Sequence, residues 1–214
     1  HRYSTDQKWF LPHFEKMLYD QAMISMAYLE AYELTNNKEY ADIAEEIFAY
    51  VLRDMTDKKG GFYSAEDADS EGEEGKFYVW TNEEIVQILG DKDGKKFIDI
   101  FGFEDQGNFH DEATRQLTGS NIPYLKIKLS KYAKKNDLDI GKLKNTIEEN
   151  RLALFSHRKK RIHPLKDDKV LTDWNGLMIA AFANGGKILG NDKYLSAAEN
   201  AADFILNNLR DDNG

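Results

Sequence analysis

The chain has 214 residues, of which 41% are hydrophobic and 31% are charged, a balance typical of a globular protein with a sizeable core. Its formal net charge of −9 argues against a surface that binds nucleic acid or an anionic membrane. The absence of cysteine excludes disulfides, a thiolate nucleophile and a cysteine-ligated zinc site within these residues.

Hydropathy and motif content argue against a membrane-spanning protein, a zinc hydrolase and a dinucleotide-binding protein. No apolar run approaches the roughly 20 residues that a membrane-spanning helix needs, so we expect a cytoplasmic protein with no membrane partner and no nucleic-acid partner. Neither a His-Glu-x-x-His motif nor a Gly-x-Gly-x-x-Gly loop is present, and we predict no metal and no cofactor.

The first predicted element is a helix over residues 12–34. Its first two turns carry His13, Glu15, Lys16 and Asp20, and the remainder is apolar nearly all round, which predicts a helix buried on most sides. The spacing places His13, Lys16 and Asp20 along one helix face. Because charges at the mouth of a buried helix need partners or a wet cavity, these side chains predict a site. Helix-dipole and ion-pair roles for the same residues are the alternative.

The second helix is predicted over residues 40–55, where one face is apolar, and it forms an antiparallel hairpin with the first. Residues 62–64 and 76–80 then predict a short β-ribbon joined by an acidic loop. This loop imitates the start of a calcium-binding loop, but Tyr78 occupies the twelfth position, where a glutamate is needed. We therefore interpret it as a solvated acidic loop.

The second half of the chain repeats the buried-then-amphipathic order. Short helices are predicted over residues 82–90, 94–101, 125–135 and 140–159, and a further helical pair covers residues 172–209. Leu34 corresponds to Ile188 and Tyr40 to Tyr194, with a constant offset of 154 residues. A repeated hairpin predicts an array of helical hairpins, and buried inner helices favour a closed or partly closed α/α toroid.

Several long motifs resemble those of one known family. They lie at residues 2–4, 12–20, 60–70, 77–80, 167–169 and 174–178, and they resemble the spermatogenesis-associated protein 20 family. The resemblance implies a thioredoxin-like domain followed by a six-hairpin α/α barrel similar to N-acylglucosamine 2-epimerases and mannose isomerases. This chain then corresponds to the first part of the barrel. We therefore predict an all-α, incomplete (α/α)6 toroid with a β-ribbon near residues 61–80, as a single domain over 1–214 whose later hairpins lie outside it.

The barrel relatives imply a carbohydrate isomerase or epimerase, which needs an acid and a base beside the reacting carbon. We predict His13 as the base, oriented by Glu15 or Asp20. Lys16 and Lys169 are predicted to stabilise negative charge on a substrate oxygen. The expected ligand is a small sugar.

Aromatic and amide side chains complete the predicted substrate site. Trp80 and Trp174 can stack on a sugar ring, with a place in the core as the alternative for each. Asn175, next to Trp174, is predicted to bind substrate as well.

A glycosidase is the second hypothesis, because paired carboxyl groups about 5–10 Å apart hydrolyse glycosides. The candidate carboxyl groups are those of Glu66, Asp67, Asp69, Asp168 and Asp173. Asp173 is best placed, at the start of a buried helix, although a helix-capping aspartate explains it equally well.

The third hypothesis is a non-catalytic module that binds or supports the thioredoxin-like domain implied by the resemblance. For any of the three hypotheses, a toroid that lacks hairpins exposes the apolar flanks of its inner helices, so we expect a homodimer or association with the remaining hairpins.

Overall fold

A computed structural model describes residues 2–110 and 116–210. The described chain is mostly helical with small antiparallel strand pairs, as predicted. The helices are α1 (Leu18–Thr35), α2 (Lys38–Asp54), α3 (Asn82–Ile100), α4 (Leu129–Lys135), α5 (Ile140–Arg158), α6 (Thr172–Leu189) and α7 (Asp192–Asn208). The strands are β1 (Lys16–Met17), β2 (Ala65–Glu66), β3 (Asp69–Ser70), β4 (Glu73–Glu74) and β5 (Lys166–Asp167). Within the described residues, no helix is both long and apolar enough to cross a membrane.

Contacts divide the chain into two compact units. The hairpin unit comprises Arg2, Phe14–Ala68 and residues 165–210, and it holds α1, α2, α6 and α7 together with β1, β2 and β5. The ribbon unit comprises Tyr3–His13 and Asp69–Pro164, and it holds α3, α4 and α5 together with β3 and β4. The single domain expected from the sequence stays a prediction.

The hairpin unit contains the predicted repeat. Both ends of α1 and α2 recur in α6 and α7 with the offset of 154 residues that the side-chain pattern gives. Each hairpin turns through a left-handed residue, Asn36 with φ 53° and Gly190 with φ 66°, which ends the inner helix. The next residue, Asn37 or Asn191, caps the outer helix by accepting a backbone N–H two residues ahead.

All four helices of the hairpin unit, α1, α2, α6 and α7, contribute to its core. Phe48 stacks on Phe182 with ring centroids 4.7 Å apart, and Phe62 stacks on the same ring at 5.3 Å. Tyr194 contacts Phe48 from α7. All three phenylalanines are fully buried, so these rings hold the two hairpins together.

Among the described residues, neighbouring elements bury only one side of α1. Leu18, Ala22 and Leu29 are buried at helical spacing, but Met23 is 54% exposed. The expectation of a helix buried on most sides is therefore wrong for the described chain. The closed or partly closed toroid stays a prediction.

The start of α1 also differs from the prediction. The helix begins at Leu18 rather than near Pro12, because residues 16–17 are extended and pair with β2. Met17 at the N-cap has φ −113° and ψ 141°, which is strand geometry. His13 and Lys16 are therefore not helical, and the predicted helix face shared by His13, Lys16 and Asp20 does not exist.

The predicted β-ribbon near residues 61–80 is present, but its strands lie at other positions than residues 62–64 and 76–80. β2 pairs with β1 and β5, whereas β3 pairs with β4 inside the acidic segment itself. Residues 76–79 do not form a strand, because Tyr78 and Val79 donate backbone hydrogen bonds to Gly75 in a turn. Trp80 makes a single β-bridge with Asn121.

The ribbon unit contains the predicted short helices. α3 begins with a capping box between Thr81 and Glu84, and Gly90 interrupts it with φ 79°, near the predicted break between two helices. The Arg161 guanidinium donates to the carbonyls of Phe77 and Val79, which fixes the turn ahead of α3.

Candidate functional site

One guanidinium gathers three polar side chains, one from just before β1 and two from the first turn of α1. Arg2 Nη2 donates to Glu15 Oε2, and Arg2 Nη1 donates to the Tyr19 hydroxyl at 2.9 Å. Arg2 Nη1 also lies 3.6 Å from Asp20 Oδ2. We call Arg2, Glu15, Tyr19 and Asp20 the Arg2 cluster. Asp20 sits where the helix N-terminus favours a carboxylate.

The Asp20 carboxylate keeps unused acceptor capacity. Its side chain is 22% exposed, while Oδ2 is buried and accepts no hydrogen bond from the described residues. An ionised carboxylate has about four acceptor sites, and burial makes an unfilled one costly. Asp20 is thus held mainly by the charge of Arg2, and part of its side chain remains exposed.

Tyr19 joins the Arg2 cluster to the second inner helix. Its ring meets the Trp174 indole edge to face, with centroids 4.8 Å apart, so the first turns of α1 and α6 lie side by side. Because the Tyr19 oxygen accepts from Arg2, its own O–H is left to donate. Trp174, predicted to bind substrate, therefore adjoins the cluster.

The Lys16 side chain is buried in the strand pair of β1 and β2. It pairs across the sheet with Glu66 at 3.6 Å, and Lys16 Nζ donates to the Phe14 carbonyl at 2.8 Å. Both side chains are nearly inaccessible, at 11% and 4% exposed. A buried pair of this kind fixes strand register more than it adds stability. The roles predicted for Lys16 and Glu66 towards substrate stay predictions.

His13 belongs to the ribbon unit. Its Nδ1 lies 3.0 Å from Glu74 Oε1, and its ring stacks on Tyr3. Glu15 and Asp20, the partners predicted for His13, both pair with Arg2. The role of His13 as a base, oriented by Glu15 or Asp20, stays a prediction.

The carboxylates around the start of α6 are at the surface. Asp168 and Asp173 are exposed, and Asp173 Oδ1 accepts the Trp174 N–H at 2.9 Å. Lys169 Nζ pairs with Asp167 Oδ2, and this hydrogen bond lowers the pKa of the Asp167 carboxyl. Asp67 and Asp69 are also exposed.

Asn175 acts as a clamp between the hairpins. Its Oδ1 accepts the Phe62 N–H, and its Nδ2 donates to the carbonyls of Phe62 and Leu171, each at 2.9 Å. Asn175 is fully buried, so its amide is committed to the fold.

Trp80 is buried in the ribbon unit, where the Arg161 guanidinium lies 4.0 Å from the indole centroid. One face of the ring is therefore covered by a cation. Stacking of Trp80 on a sugar stays a prediction.

Two residues of the Arg2 cluster were not among the predicted site residues. Arg2 precedes its partners by 13 to 18 positions along an irregular segment, where no periodic pattern relates them. Arg2 and Tyr19 both fall within motifs that carry the family resemblance. Among the described residues, no group of three or more side chains could hold a metal ion.

Sequence comparison supports that resemblance. The chain is 37% identical to human spermatogenesis-associated protein 20 over 228 residues and 36% identical to the mouse protein. An uncharacterised protein of Caenorhabditis elegans is 36% identical over 231 residues. The alignment with the human protein covers 99% of this chain but 29% of that protein. No family model matches the chain.

A comparison of structures finds cellobiose 2-epimerase from Bacillus thermoamylovorans, at 15% sequence identity and a TM-score of 0.27. The match covers 94% of this chain and 62% of that one. A likeness at this TM-score supports no conclusion on fold or activity. The sequence matches, however, confirm the predicted resemblance: over nearly all of its length, the chain is related to one segment of spermatogenesis-associated protein 20.

Proposed function

We propose that the chain contributes a carbohydrate site and performs acid/base chemistry there, as a sugar isomerase or epimerase does. One observation carries this proposal. A single guanidinium, that of Arg2, holds two carboxylates and a phenol beside the Trp174 indole.

This combination suits a polyhydroxylated ligand. Sugar hydroxyls donate to carboxylates such as those of Glu15 and Asp20, and they accept from a guanidinium or a phenol. The indole of Trp174 offers an apolar surface for the C–H face of a sugar ring.

The proposed chemistry assigns the proton transfer to Asp20 and Tyr19. The Asp20 carboxylate takes the proton from the carbon next to the substrate carbonyl, and the C–H electrons form the enediol double bond. The carbonyl oxygen takes the proton that Tyr19 donates. For isomerisation, Asp20 returns its proton to the former carbonyl carbon, and the hydroxyl on the other carbon gives its proton to the Tyr19 phenolate as it becomes the new carbonyl. For epimerisation, a second acid on the opposite face protonates the original carbon, and the enediol oxygen returns its proton to Tyr19.

A glycosidase is the second candidate, because Glu15 and Asp20 are two carboxylates held by one arginine. A non-catalytic module that supports a thioredoxin-like domain is the third.

The test is a thermal-shift panel of aldoses, ketoses, N-acyl sugars and short glycosides, followed by turnover of any sugar that binds. Ligand that binds the native state alone stabilises it by about 2.7 kcal/mol at a hundredfold excess over Kd. We expect a shift that Asp20→Asn and Tyr19→Phe abolish. Glu33→Gln, on an exposed turn of the same helix, is the matched control.

Solvent deuterium incorporated next to the sugar carbonyl would identify an isomerase or epimerase, whereas glycoside cleavage would identify a glycosidase. A binding sugar with no turnover would favour the non-catalytic module. A complete lack of shift would overturn the carbohydrate proposal.

A further inference from the structure

The ribbon unit contains a separate cleft between α3, α5 and the segment after residue 122. Its volume is about 410 Å³, within the range of roughly 300–1,000 Å³ usual for small-molecule sites. Aromatic and aliphatic side chains form most of its wall. They include Trp80, Phe97, Tyr124, Leu125 and Phe155. We call this the α3–α5 cleft.

The charged side chains that the structure describes in the wall of the α3–α5 cleft are positive. Among the described residues that line it, Arg151 and Arg158 are the charged ones, and both project from α5. Arg158 lies over the Phe155 ring at 5.7 Å and over the Phe77 ring at 5.5 Å, so aromatic faces position its planar guanidinium.

Arg151 has a partner that a ligand can replace. It pairs with Glu148 at 2.7 Å, but the two side chains are 56% and 52% exposed. An exposed pair on one helix contributes little stability, so exchange of Glu148 for a ligand carboxylate has a small energetic penalty. A guanidinium matches a carboxylate with two parallel hydrogen bonds.

The mouth of the cleft exposes apolar surface. Leu125 is 49% exposed and Tyr124 is 38% exposed, although both line the cleft. Apolar groups at the rim of an aromatic cleft mark a surface that a ligand covers.

We propose that the α3–α5 cleft binds a small molecule with a planar apolar body and one carboxylate. The aromatic wall takes the body, and Arg151 and Arg158 take the carboxylate. This inference does not depend on the carbohydrate proposal, which concerns side chains of the hairpin unit.

The test compares three ligands that share an indole ring and differ in charge: indole-3-acetate, indole-3-ethanol and tryptamine. Calorimetry measures their affinities for the whole chain, and NMR follows the three tryptophan indole N–H signals. We expect indole-3-acetate to bind at least about tenfold more tightly than the other two, the effect of one favourable charge contact near a protein surface. The Trp80 signal should shift, while the signal of Trp9, which is 84% exposed, should not.

Substitutions of the exposed rim residue Leu125 test binding without disturbing the core of the protein. Leu125→Asp should weaken indole-3-acetate binding about tenfold through like-charge repulsion, whereas Leu125→Lys should keep or strengthen it. Leu138→Asp changes an exposed leucine that is not a wall residue of the cleft, so it should leave binding unchanged. Arg158→Gln should reduce affinity for indole-3-acetate and leave that for indole-3-ethanol unchanged.

Equal affinities for the three ligands would overturn the assignment of a carboxylate. Binding that leaves the Trp80 signal in place, or that Leu125→Asp does not change, would place the ligand elsewhere and overturn the site.

Discussion

The two hairpins of the hairpin unit have the same backbone plan and different first turns. α1 and α6 have equal lengths, and their bounds differ by the repeat offset, as do those of α2 and α7. In the first turn of α1, Tyr19 and Asp20 face Arg2, whereas in the first turn of α6 Asn175 holds the backbone of Phe62. The first turn of the inner helix therefore carries the Arg2 partners Tyr19 and Asp20 in one hairpin and a structural amide in the other, where Asn175 occupies the position of Gln21.

This difference shows where a repeated helical scaffold leaves room for chemistry. The hairpin body is fixed by packing and caps, so side chains at the entry of the inner helix can change without changing the hairpin. The comparison predicts that α6 contributes mainly stability and that the first turn of α1 contributes mainly function.

The largest effect on stability should follow from removing the clamp. Asn175→Ala strands the buried N–H and C=O of Phe62, and each stranded group is worth roughly 1–3 kcal/mol, so we expect a loss of about 3 kcal/mol in the free energy of unfolding. Urea denaturation measures it. Asn208→Ala removes an exposed amide that bonds within its own helix and should have a small effect. Similar losses in both variants would contradict the clamp.

Two glycines of α6 provide the next test. A Cβ at Gly185 would overlap the Phe48 ring, which is fully buried and stacked, whereas Gly176 faces open space. Gly185→Ala should therefore destabilise the protein by about 1–3 kcal/mol through overpacking. Gly176→Ala should stabilise it by up to about 1 kcal/mol through helix propensity.

The first hairpin carries Ala31 at the position that matches Gly185, so the close approach is a property of α6. Thermal melts of both glycine variants check these signs. Destabilisation by Gly176→Ala would contradict the observation that a Cβ at Gly176 meets no neighbouring atom.

The caps of the two outer helices should be equivalent. Asn37 and Asn191 each accept a backbone N–H at 3.1 Å, so Asn37→Ala and Asn191→Ala should each lower stability by about 1 kcal/mol. Chemical denaturation of the two single variants tests the repeat directly. A loss in one hairpin alone would show that the hairpins differ beyond their first turns.

The smallest effect concerns pH. Lys169 lowers the pKa of Asp167 below its usual 3.8, so the pair stabilises the fold above about pH 4 and loses this contribution as the pH falls through the lowered value. Lys169→Met should move the Asp167 pKa upwards, which NMR titration measures. Because the pair is exposed, we expect almost no change in stability at pH 7. An unchanged Asp167 pKa in Lys169→Met would show that Lys169 does not lower it.

Much of the helical structure could be predicted from the sequence. The apolar periodicity of residues 40–55, the asparagines at the turns and the repeat offset are local features, so helix bounds follow from them. The start of α1 could not be predicted in this way. Residues 12–17 have a helical pattern, but Lys16 and Met17 pair with a strand almost 50 residues away.

The residues of the Arg2 cluster and its neighbour Trp174 could be predicted only in part, because local patterns do not record contacts between distant residues. Asp20, Glu15 and Trp174 were identified as ionisable or aromatic groups at the mouths of apolar helices. Arg2 is not predicted because its contacts cross an irregular segment. Nothing local shows that the Asn175 amide bonds to Phe62 and Leu171, and its binding of substrate stays a prediction.

The sequence by itself determined the helices, the hairpin repeat and the family resemblance, because each depends on residue types at short or constant spacing. Only the tertiary structure decided which polar side chains meet. Those contacts join groups far apart in the chain, and their geometry depends on strand pairing and helix packing that no local pattern records.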